Sequence, residues 1–411
     1  MKLLLYSWHA NNEQMLADNL KKLDFEVVWF DKKCKHYTRD MELAAEMIPF
    51  IHKEGIEGVI SFNYFPIVSM ICDTCKIPYY AWVYDCPHFT LYAKQIVLPC
   101  NHIGVFDKEM VRKLREKGVQ TVYHAPMAVD GEEFSRTISA ASQKEKERFV
   151  SDISFVGSLY TDEHNYYDRL LKDKKTGMAE NTIAVDAFDE IIQKQCFSYD
   201  KNYLSEAVIS GKIDLCLIQK KMEEQGLMLG EDYFASTEEL LMATVLEKKV
   251  TVEERRILLT KIAEVFGEKN RFHLYTGSEL LKMPLLQKYH KGIVDYHKQM
   301  PLVFAGSRIN LNISLRSIHS GIPLRVLDIM ACGGFLLTNW QPEIAEYFIE
   351  GEEVVTFKSM EECMEKITYY LEHEKERQKI AAAGQQKVRE KFGYTRGLLK
   401  LFELEEEIEK E

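Results

Sequence analysis

The sequence predicts an α/β protein built from two domains, each with a doubly wound parallel sheet. Short apolar runs typical of buried strands alternate with helical patterns from residue 2 onward, and this alternation favours parallel sheets covered by helices on both faces. Several of the predicted strands end in polar loops, as strands do where an open α/β sheet binds its ligand. The chain has 411 residues, which is longer than one α/β core usually grows, so two domains are expected.

The first domain is predicted at residues 1–135. Hydrophobic runs predict its strands at 2–7, 25–30, 58–62, 79–84, 102–106 and 121–124. Helical periodicity predicts its helices at 13–23, 41–54, 66–76 and 108–117. This order of elements is typical of a doubly wound parallel sheet.

The second domain is predicted at residues 150–394, after a linker at 136–149 whose polar sequence carries no hydrophobic period. Residues from about 160 to 270 are mostly helical in pattern, which predicts an added helical layer after the first strand of this domain. Its strands are predicted at 152–156, 272–275, 309–313, 335–338 and 353–357, and its later helices at 342–348, 360–373 and 375–391.

Composition and charge narrow the class of protein. No apolar stretch reaches the roughly 18 residues of a membrane span, and the N-terminus lacks a signal-sequence pattern, so a cytoplasmic location is expected. The formal charge of -11 would repel a phosphate backbone, which argues against nucleic acid as a partner. The basic run at 32–36, with Arg39, is typical of a solvated loop. The alternatives are contact with an anionic acceptor and a weak peripheral contact with the inner membrane surface.

The cysteines favour reduced thiols over disulfides. Nine cysteines are scattered along the chain, and an odd, dispersed set is typical of an intracellular protein. Cys72 and Cys75 form a C-x-x-C pair, but no second pair follows at zinc-finger spacing. We therefore predict no metal site.

A candidate anion site lies at residues 307–339, which read SRINLNISLRSIHSGIPLRVLDIMACGGFLLTN. A predicted strand ends there in a polar loop, and Gly321 and Pro323 favour the start of a helix near residue 323. The free N–H groups at a helix start, with Arg325 in its first turn, attract an anion. The stretch therefore predicts a site for a nucleoside diphosphate.

Asp328 lies on the same helix face as Arg325, three residues further on. Its carboxylate could accept hydrogen bonds from two ribose hydroxyls; the alternative is a carboxylate paired with Arg325 alone. His319, in the loop before the helix, is a further candidate partner for a phosphate or a donor hydroxyl.

This region, continued through residue 411, resembles the C-terminal half of glycosyltransferases with the two-Rossmann GT-B architecture. It is most similar to the CgeB-like branch, first named for a spore-maturation protein, and the N-terminal third resembles the domain that accompanies that half in bacterial members. Retaining relatives carry two glutamates separated by seven residues, the first near the donor sugar and the second on the ribose. That spacing here gives Ser320 and Asp328, so the second acidic position is kept and the first is a hydroxyl.

The resemblance implies a nucleotide-sugar donor as co-substrate, with no bound metal and no other cofactor. It also implies that the final helix, at about 395–411, crosses back onto the first domain. Thr276 and Gly277 follow a predicted strand, and in the resembled fold this loop lines the nucleotide base. Gly157 and Ser158 follow another strand, where a glycine lets backbone N–H groups approach a phosphate or sugar. Ordinary tight turns are the alternative for both loops.

Loops at the ends of the first-domain strands are expected to line the acceptor side. If the reaction inverts the anomeric carbon, an aspartate or histidine must take the proton from the acceptor hydroxyl. Asp85 is the favoured base, with His88 and His9 next, while a turn aspartate before a proline is the alternative for Asp85. If the reaction retains configuration, no base is required and the enzyme mainly positions the reactants.

The sequence thus predicts a glycosyltransferase that moves a sugar to a hydroxyl of a cell-surface polysaccharide, a lipid-linked sugar or a protein. A non-hydrolysing sugar-nucleotide epimerase is one alternative, because such enzymes share the two-Rossmann shape. The other is a non-catalytic binding or coat protein that has kept the fold, which the hydroxyl at Ser320 permits.

Overall fold

Two parallel sheets, one in each half of the chain, organise the structure. The computed structural model describes residues 1–161, 165–171, 182–199, 201–268 and 271–402. The first sheet has the strand order β2-β1-β3-β4-β5-β6 and the second the order β11-β10-β9-β7-β8. Their strands are β1 Lys2–Ser7, β2 Glu26–Asp31, β3 Gly58–Phe62, β4 Tyr79–Val83, β5 Asn101–Val105, β6 Val122–His124, β7 Ser151–Val156, β8 Phe272–Tyr275, β9 Ser307–Asn312, β10 Leu336–Asn339 and β11 Val355–Phe357.

Helices connect the strands of the first sheet and continue to the second. They are α1 Glu13–Lys22, α2 Met41–Glu54, α3 Pro66–Cys75, α4 Lys108–Glu116, α5 Gly131–Ala140 and α6 Gln143–Glu147. Helices α5 and α6 occupy much of the segment predicted as the linker. Helix α6 forms there because Ser142 and Glu145 make a reciprocal capping box at its start.

A group of helices connects β7 to β8 along the chain and is called the helical layer below. It consists of α7 Tyr166–Leu171, α8 Thr182–Cys196, α9 Tyr203–Ile209, α10 Cys216–Glu224, α11 Thr237–Leu241 and α12 Glu247–Phe266. A π-helical turn, Met242–Leu246, joins α11 to α12. The layer packs one face of the second sheet through a shared apolar cluster that includes Ile153, Leu258 and Ile309.

The remaining helices complete the second half and return to the first. They are α13 Pro284–Tyr289, α14 Met300–Gly306, α15 Leu324–Ala331, α16 Pro342–Tyr347, α17 Met360–Glu372, α18 Glu374–Lys391 and α19 Tyr394–Leu401. Helix α19 contacts α1, β4 and β5 of the first half, and Phe402 stacks on Phe25 with ring centroids 5.0 Å apart. Residues 403–411 of the predicted final helix lie outside the described residues.

One apolar cluster joins the two halves. Leu5, Trp82 and Phe106 of the first half belong to the same buried cluster as Val326 and Leu327 of α15. Burial of shared apolar surface is the main force that holds packed layers together. The structure confirms the predicted fold class, an α/β protein with two doubly wound parallel sheets.

None of the described helices is both long enough and apolar enough to cross a lipid bilayer.

Candidate functional site

A cavity of about 430 Å³ lies between the two halves of the molecule. Its walls are the loops after β4, β9 and β10, the helix α4 and the inner side of the helical layer. The loops occupy the carboxyl ends of strands in both parallel sheets, which is where open α/β sheets bind ligands. Its volume lies in the range of small-molecule sites.

The helical layer closes one side of this cavity because it also binds the first half of the chain. The backbone N–H of Lys94 donates to the carbonyl of Asp232 at 2.9 Å, and Phe234 N–H donates to Tyr92 at 2.8 Å. The carboxylate of Asp232 accepts from Thr38 at 3.0 Å and Arg39 at 2.9 Å. The layer therefore bridges the two sheets.

A carboxylate–imidazole pair lies in the wall of the cavity. Glu247, the first residue of α12, is 6% exposed, and its Oε1 lies 2.9 Å from Nε2 of His319. The Nζ of Lys113 lies 3.1 Å from the other ring nitrogen of His319. The Glu247 carboxylate raises the pKa of His319, against the opposing effects of burial and Lys113. The Oε2 atom of Glu247 is buried and has no hydrogen-bond partner among the described residues.

A buried arginine attaches the loop after β9 to the helical layer. The guanidinium of Arg316 binds Glu254 of α12, with Nε at 2.7 Å from Oε1, and donates to the Ser198 carbonyl at 2.8 Å. It also lies over the ring of Tyr199, 4.1 Å from the centroid. Burial raises the pKa of Glu254, although Arg316 opposes the rise. These contacts hold the cavity wall rigidly to the layer.

The predicted anion loop already binds a carboxylate in this structure. The backbone N–H groups of His319, Ser320 and Gly321 donate to Oδ2 of Asp107, at 2.8, 3.0 and 3.1 Å. Burial alone would raise the pKa of Asp107, but the N–H groups of Ser320, Met110 and Gly321 outweigh burial and lower it. Three convergent N–H groups form an anion-binding nest, and an aspartate of the first half fills it.

Ser320 belongs to a second contact between the halves. Its hydroxyl lies 3.0 Å from Oδ1 of Asp107 and 2.7 Å from Oε1 of Glu343. Glu343 is 1% exposed, accepts from the N–H of Lys108 at 2.9 Å and lies 2.8 Å from Nε2 of His124. The hydroxyl at Ser320 thus connects two carboxylates in the interface.

Asp328 and Arg325 lie on the other side of α15, next to a tyrosine. The hydroxyl of Tyr296 donates to Asp328 at 2.7 Å, and Arg325 donates to the other carboxylate oxygen at 3.1 Å. Asn12 of the first half donates to the Tyr296 hydroxyl at 3.4 Å. Burial raises the pKa of Asp328 to about 6, with Arg325 and Tyr296 opposing the rise. Asp328 is not among the described residues that line the 430 Å³ cavity.

The loops after β7 and β8 lie together. The hydroxyls of Ser158 and Ser278 are 3.1 Å apart, and the Thr276 hydroxyl accepts from the N–H of Ser278 at 3.1 Å. Gly157 donates its N–H to the Tyr275 carbonyl at 3.0 Å. Both loops therefore belong to one surface. Gly157, Ser158, Thr276 and Gly277 are not among the described residues that line the 430 Å³ cavity, and their part in a donor site stays a prediction.

Arg255 fills the crevice between β7 and β9. Its guanidinium donates to the carbonyls of Ser158 and Ile313, the residues that follow these two strands. After β7 the chain forms the helical layer on one face of the sheet, and after β9 it forms α15 on the other face. The crevice between β7 and β9 is therefore the topological switch point of the second sheet.

The three predicted bases have different surroundings. His88 lines the cavity, and its Nε2 lies 3.1 Å from the N–H of Tyr64; burial lowers the pKa of His88. Asp85 accepts from the Asn63 amide at 2.7 Å and is not among the described residues lining the cavity. The side chain of His9 is 73% exposed and lies 3.2 Å from Asp31. Of the three, His88 lines the cavity that His319 also lines.

Among the described residues, no group of three or more His, Cys, Asp or Glu side chains is placed to hold a metal ion. All nine cysteines are free thiols, including Cys72 and Cys75.

Sequence reasoning did not single out five residues that shape the site: Asp107, Glu247, Arg255, Arg316 and Glu343. Asp107 had a usable signal, because it directly follows a strand and precedes a helix. The other four lie on helices or in a loop where charged residues are common, and no local pattern marks them.

Comparison with known proteins agrees with this geometry. Residues 254–403 match the family model described as "Glycosyl transferase-like". No curated protein matches the chain.

Solved structures with the same fold match nearly the whole chain. A glycosyltransferase from Rickettsia africae is 10% identical with a TM-score of 0.53, over 100% of this chain and 98% of its own. Sucrose-phosphate synthase from Thermosynechococcus elongatus is 10% identical with a TM-score of 0.56, over 99% of each chain. Anabaena Alr3699/HepE in complex with UDP and glucose is 9% identical with a TM-score of 0.53, over 98% of each chain. The chain therefore has the two-Rossmann GT-B fold, and its residues 254–403 match the glycosyl transferase-like family.

Proposed function

We propose that the protein is a glycosyltransferase that moves a sugar from a nucleotide-diphosphate sugar to a hydroxyl acceptor. One observation carries the proposal: a cavity at the carboxyl ends of two parallel sheets adjoins a loop whose N–H groups bind an anion. The family match supports it, because residues 254–403 include that loop, α15 and the loop after β8. The solved complexes of Anabaena HepE with UDP and with UDP-glucose support a nucleotide-sugar donor.

The donor diphosphate is proposed to bind at the N–H groups of His319, Ser320 and Gly321. A phosphate oxygen has the charge and acceptor geometry that the Asp107 carboxylate presents to them now. Binding there requires Asp107 to withdraw, which couples donor binding to the contact between the halves. The ribose role of Asp328 remains part of this proposal.

The acceptor chemistry is proposed on the first-half side of the cavity. If the reaction inverts configuration, His88 is the base that the geometry favours over Asp85 and His9, because it lines the cavity. Burial lowers the pKa of His88 and so favours the neutral imidazole. Its Nε2 accepts from the N–H of Tyr64 at 3.1 Å, so the ring must leave this contact before it can take a proton. The acceptor is proposed to be a hydroxyl of a polysaccharide, lipid-linked sugar or protein. The reaction is proposed to need no metal or other cofactor, as the resemblance to GT-B enzymes implies.

A sugar-nucleotide epimerase is the second candidate, and the cavity favours it in one respect. Such enzymes use carboxylates and a histidine around the sugar, and the cavity places Glu247, His319 and His88 together. Incubation of the protein with a sugar nucleotide and no acceptor separates the two functions. Conversion to an isomer would identify the epimerase.

Thermal unfolding with nucleoside diphosphates tests the donor site. The panel is UDP, GDP, ADP and dTDP with their glucose conjugates, on the wild type and Asp328→Ala. A ligand at a hundred times its Kd stabilises a protein by roughly 2.7 kcal/mol, so one diphosphate should raise the Tm of the wild type and not of the variant. Asp40→Ala is the matched control, because Asp40 is a buried carboxylate that caps α2 away from α15. No shift with any of these ligands would favour a non-catalytic binding or coat protein.

A further inference from the structure

Glu247 has a buried carboxylate oxygen without a hydrogen-bond partner in the described part of the chain, and such atoms are uncommon in folded proteins. Its Oε1 is paired with His319, while its Oε2 is buried and has no partner among the described residues. A buried carboxylate oxygen without a hydrogen bond destabilises the fold. Glu247 lines the cavity, so a small shift of its side chain would bring Oε2 to a ligand that donates a hydrogen bond.

A second unpaired polar atom lies in the same wall. The hydroxyl of Ser317 is buried without a partner among the described residues, and Ser317 lines the cavity. A carboxylate acceptor and a hydroxyl, which both donates and accepts, match the hydroxyl groups of a sugar. A phosphate placed directly against the unpaired oxygen of Glu247 would be repelled by it.

His319 connects this wall to the anion loop. Its backbone N–H belongs to the nest that holds Asp107, and its ring contacts Glu247. A diphosphate in the nest would therefore bind the backbone of His319, whose ring contacts the carboxylate of Glu247. In a nucleotide sugar the diphosphate and the sugar are joined directly, so one molecule can occupy both places.

We propose that Glu247 and Ser317 form the hydroxyl-binding site for the sugar of the nucleotide-sugar donor, so that the helical layer contributes to sugar selection. The inference rests on the proposed function and assigns a specificity-determining role to a residue outside the two sheets. Glu247 positions the sugar by accepting a hydrogen bond from one of its hydroxyls at Oε2. His319 keeps the carboxylate in place through Oε1.

Titration calorimetry with each diphosphate and its glucose conjugate tests the proposal. The four pairs are those of UDP, GDP, ADP and dTDP, and the variant is Glu247→Gln. We expect the Kd of the conjugate to rise at least tenfold, because hydrogen bonds to charged groups are the strong ones. The Kd of the free diphosphate should change less than twofold. A merely structural role of Glu247 would change both values together.

Glu253→Gln is the matched control. It makes the same substitution on the same helix, where Glu253 pairs with Lys249 and Arg256 and is not among the described residues that line the cavity. Its two Kd values should equal those of the wild type. Equal weakening of diphosphate and conjugate by Glu247→Gln, or no weakening, overturns the proposal.

Ser317→Ala keeps the test decisive if Glu247→Gln does not fold. The Ser317 hydroxyl makes no hydrogen bond to the described residues, so its removal leaves the fold intact. We expect a severalfold rise in the Kd of the conjugate alone. An unchanged Kd in this variant refutes the Ser317 contact and, where Glu247→Gln does not fold, the whole site. Absence of diphosphate binding by the wild type would instead refute the proposed function, and the sugar site with it.

Discussion

A single buried carboxyl, Asp328, carries a large electrostatic cost. It is 1% exposed, and its contacts with Tyr296 and Arg325 only partly replace the water it has lost. Burial accordingly raises the pKa of Asp328 from 3.8 to about 6. A carboxyl kept at such a cost is typical of a functional site.

This shift predicts how stability depends on pH. Between about pH 4 and pH 6 the folded state binds more protons at Asp328 than the unfolded state, so the free energy of unfolding falls as pH rises. A shift of about two pKa units corresponds to about 3 kcal/mol. In Asp328→Asn this contribution disappears, and urea unfolding across pH 4 to 7 measures it.

Asp40→Asn is the control for this prediction. Burial raises the pKa of Asp40, but the N–H groups of Leu43 and Lys35 outweigh burial and lower it, so this carboxyl titrates below the window. The control should keep the wild-type slope between pH 4 and pH 6. The same slope in Asp328→Asn as in the wild type would show that Asp328 is not the group responsible.

At the scale of elements, α19 depends on close contact with the first sheet. A Cβ atom on Gly397 would lie 2.8 Å from Cζ2 of Trp82 and 3.2 Å from Cβ of Ala128. Trp82 is fully packed in the cluster that joins the two halves. The glycine therefore permits the helix to approach the sheet, and its conformational cost is offset by this packing.

We expect Gly397→Ala to destabilise the protein by about 1–3 kcal/mol, because overpacking forces side chains or backbone to move. Gly393→Ala is the matched control at the start of the same helix. There a Cβ atom would meet only Arg389 O, at 3.7 Å, so we expect only the smaller loss, under about 1 kcal/mol, of an alanine at the N-cap of this helix. Urea unfolding compares the two variants, and equal free energies would contradict the packing argument.

At the scale of the whole molecule, polar contacts in the interface determine how the two halves meet. Asp107 binds three N–H groups of the anion loop, and Glu343 binds the start of α4 and His124. The helical layer adds the contacts of Asp232 with the first half. Because the Asp107 contact occupies the proposed phosphate site, ligand binding and the arrangement of the halves are linked.

Asp107→Asn tests this link. The asparagine oxygen can still accept from Met110 N–H and cap α4. The amide NH2 then takes the place of Oδ2 and faces the three N–H groups of the anion loop, from which it cannot accept. We expect amide hydrogen exchange of residues 319–321 to accelerate at least tenfold. Asp130→Asn is the control, because Asp130 caps α5 without touching that loop. Unchanged exchange at 319–321 would show that Asp107 does not hold the loop closed.

Local sequence patterns predict the elements and the course of the loop at 319–321. The predicted strands 58–62 and 272–275 and helix 41–54 have the observed bounds, and the other strands agree within two residues. Strand and helix periods are local properties of the chain, so they can be read from neighbouring residues. The same holds for His319, Ser320 and Gly321, because a strand, a glycine loop and a helix start follow one another directly.

What these residues face depends on contacts between distant parts of the chain. Asp107 lies 212 residues from His319 and Glu247 lies 72 residues from it, and no local pattern relates them. Tertiary packing likewise separated His88, which lines the cavity, from His9, which is exposed. The reason is physical: the chain's local periods specify helices and strands, whereas the contacts between loops depend on how two sheets and the helical layer bury their apolar faces together.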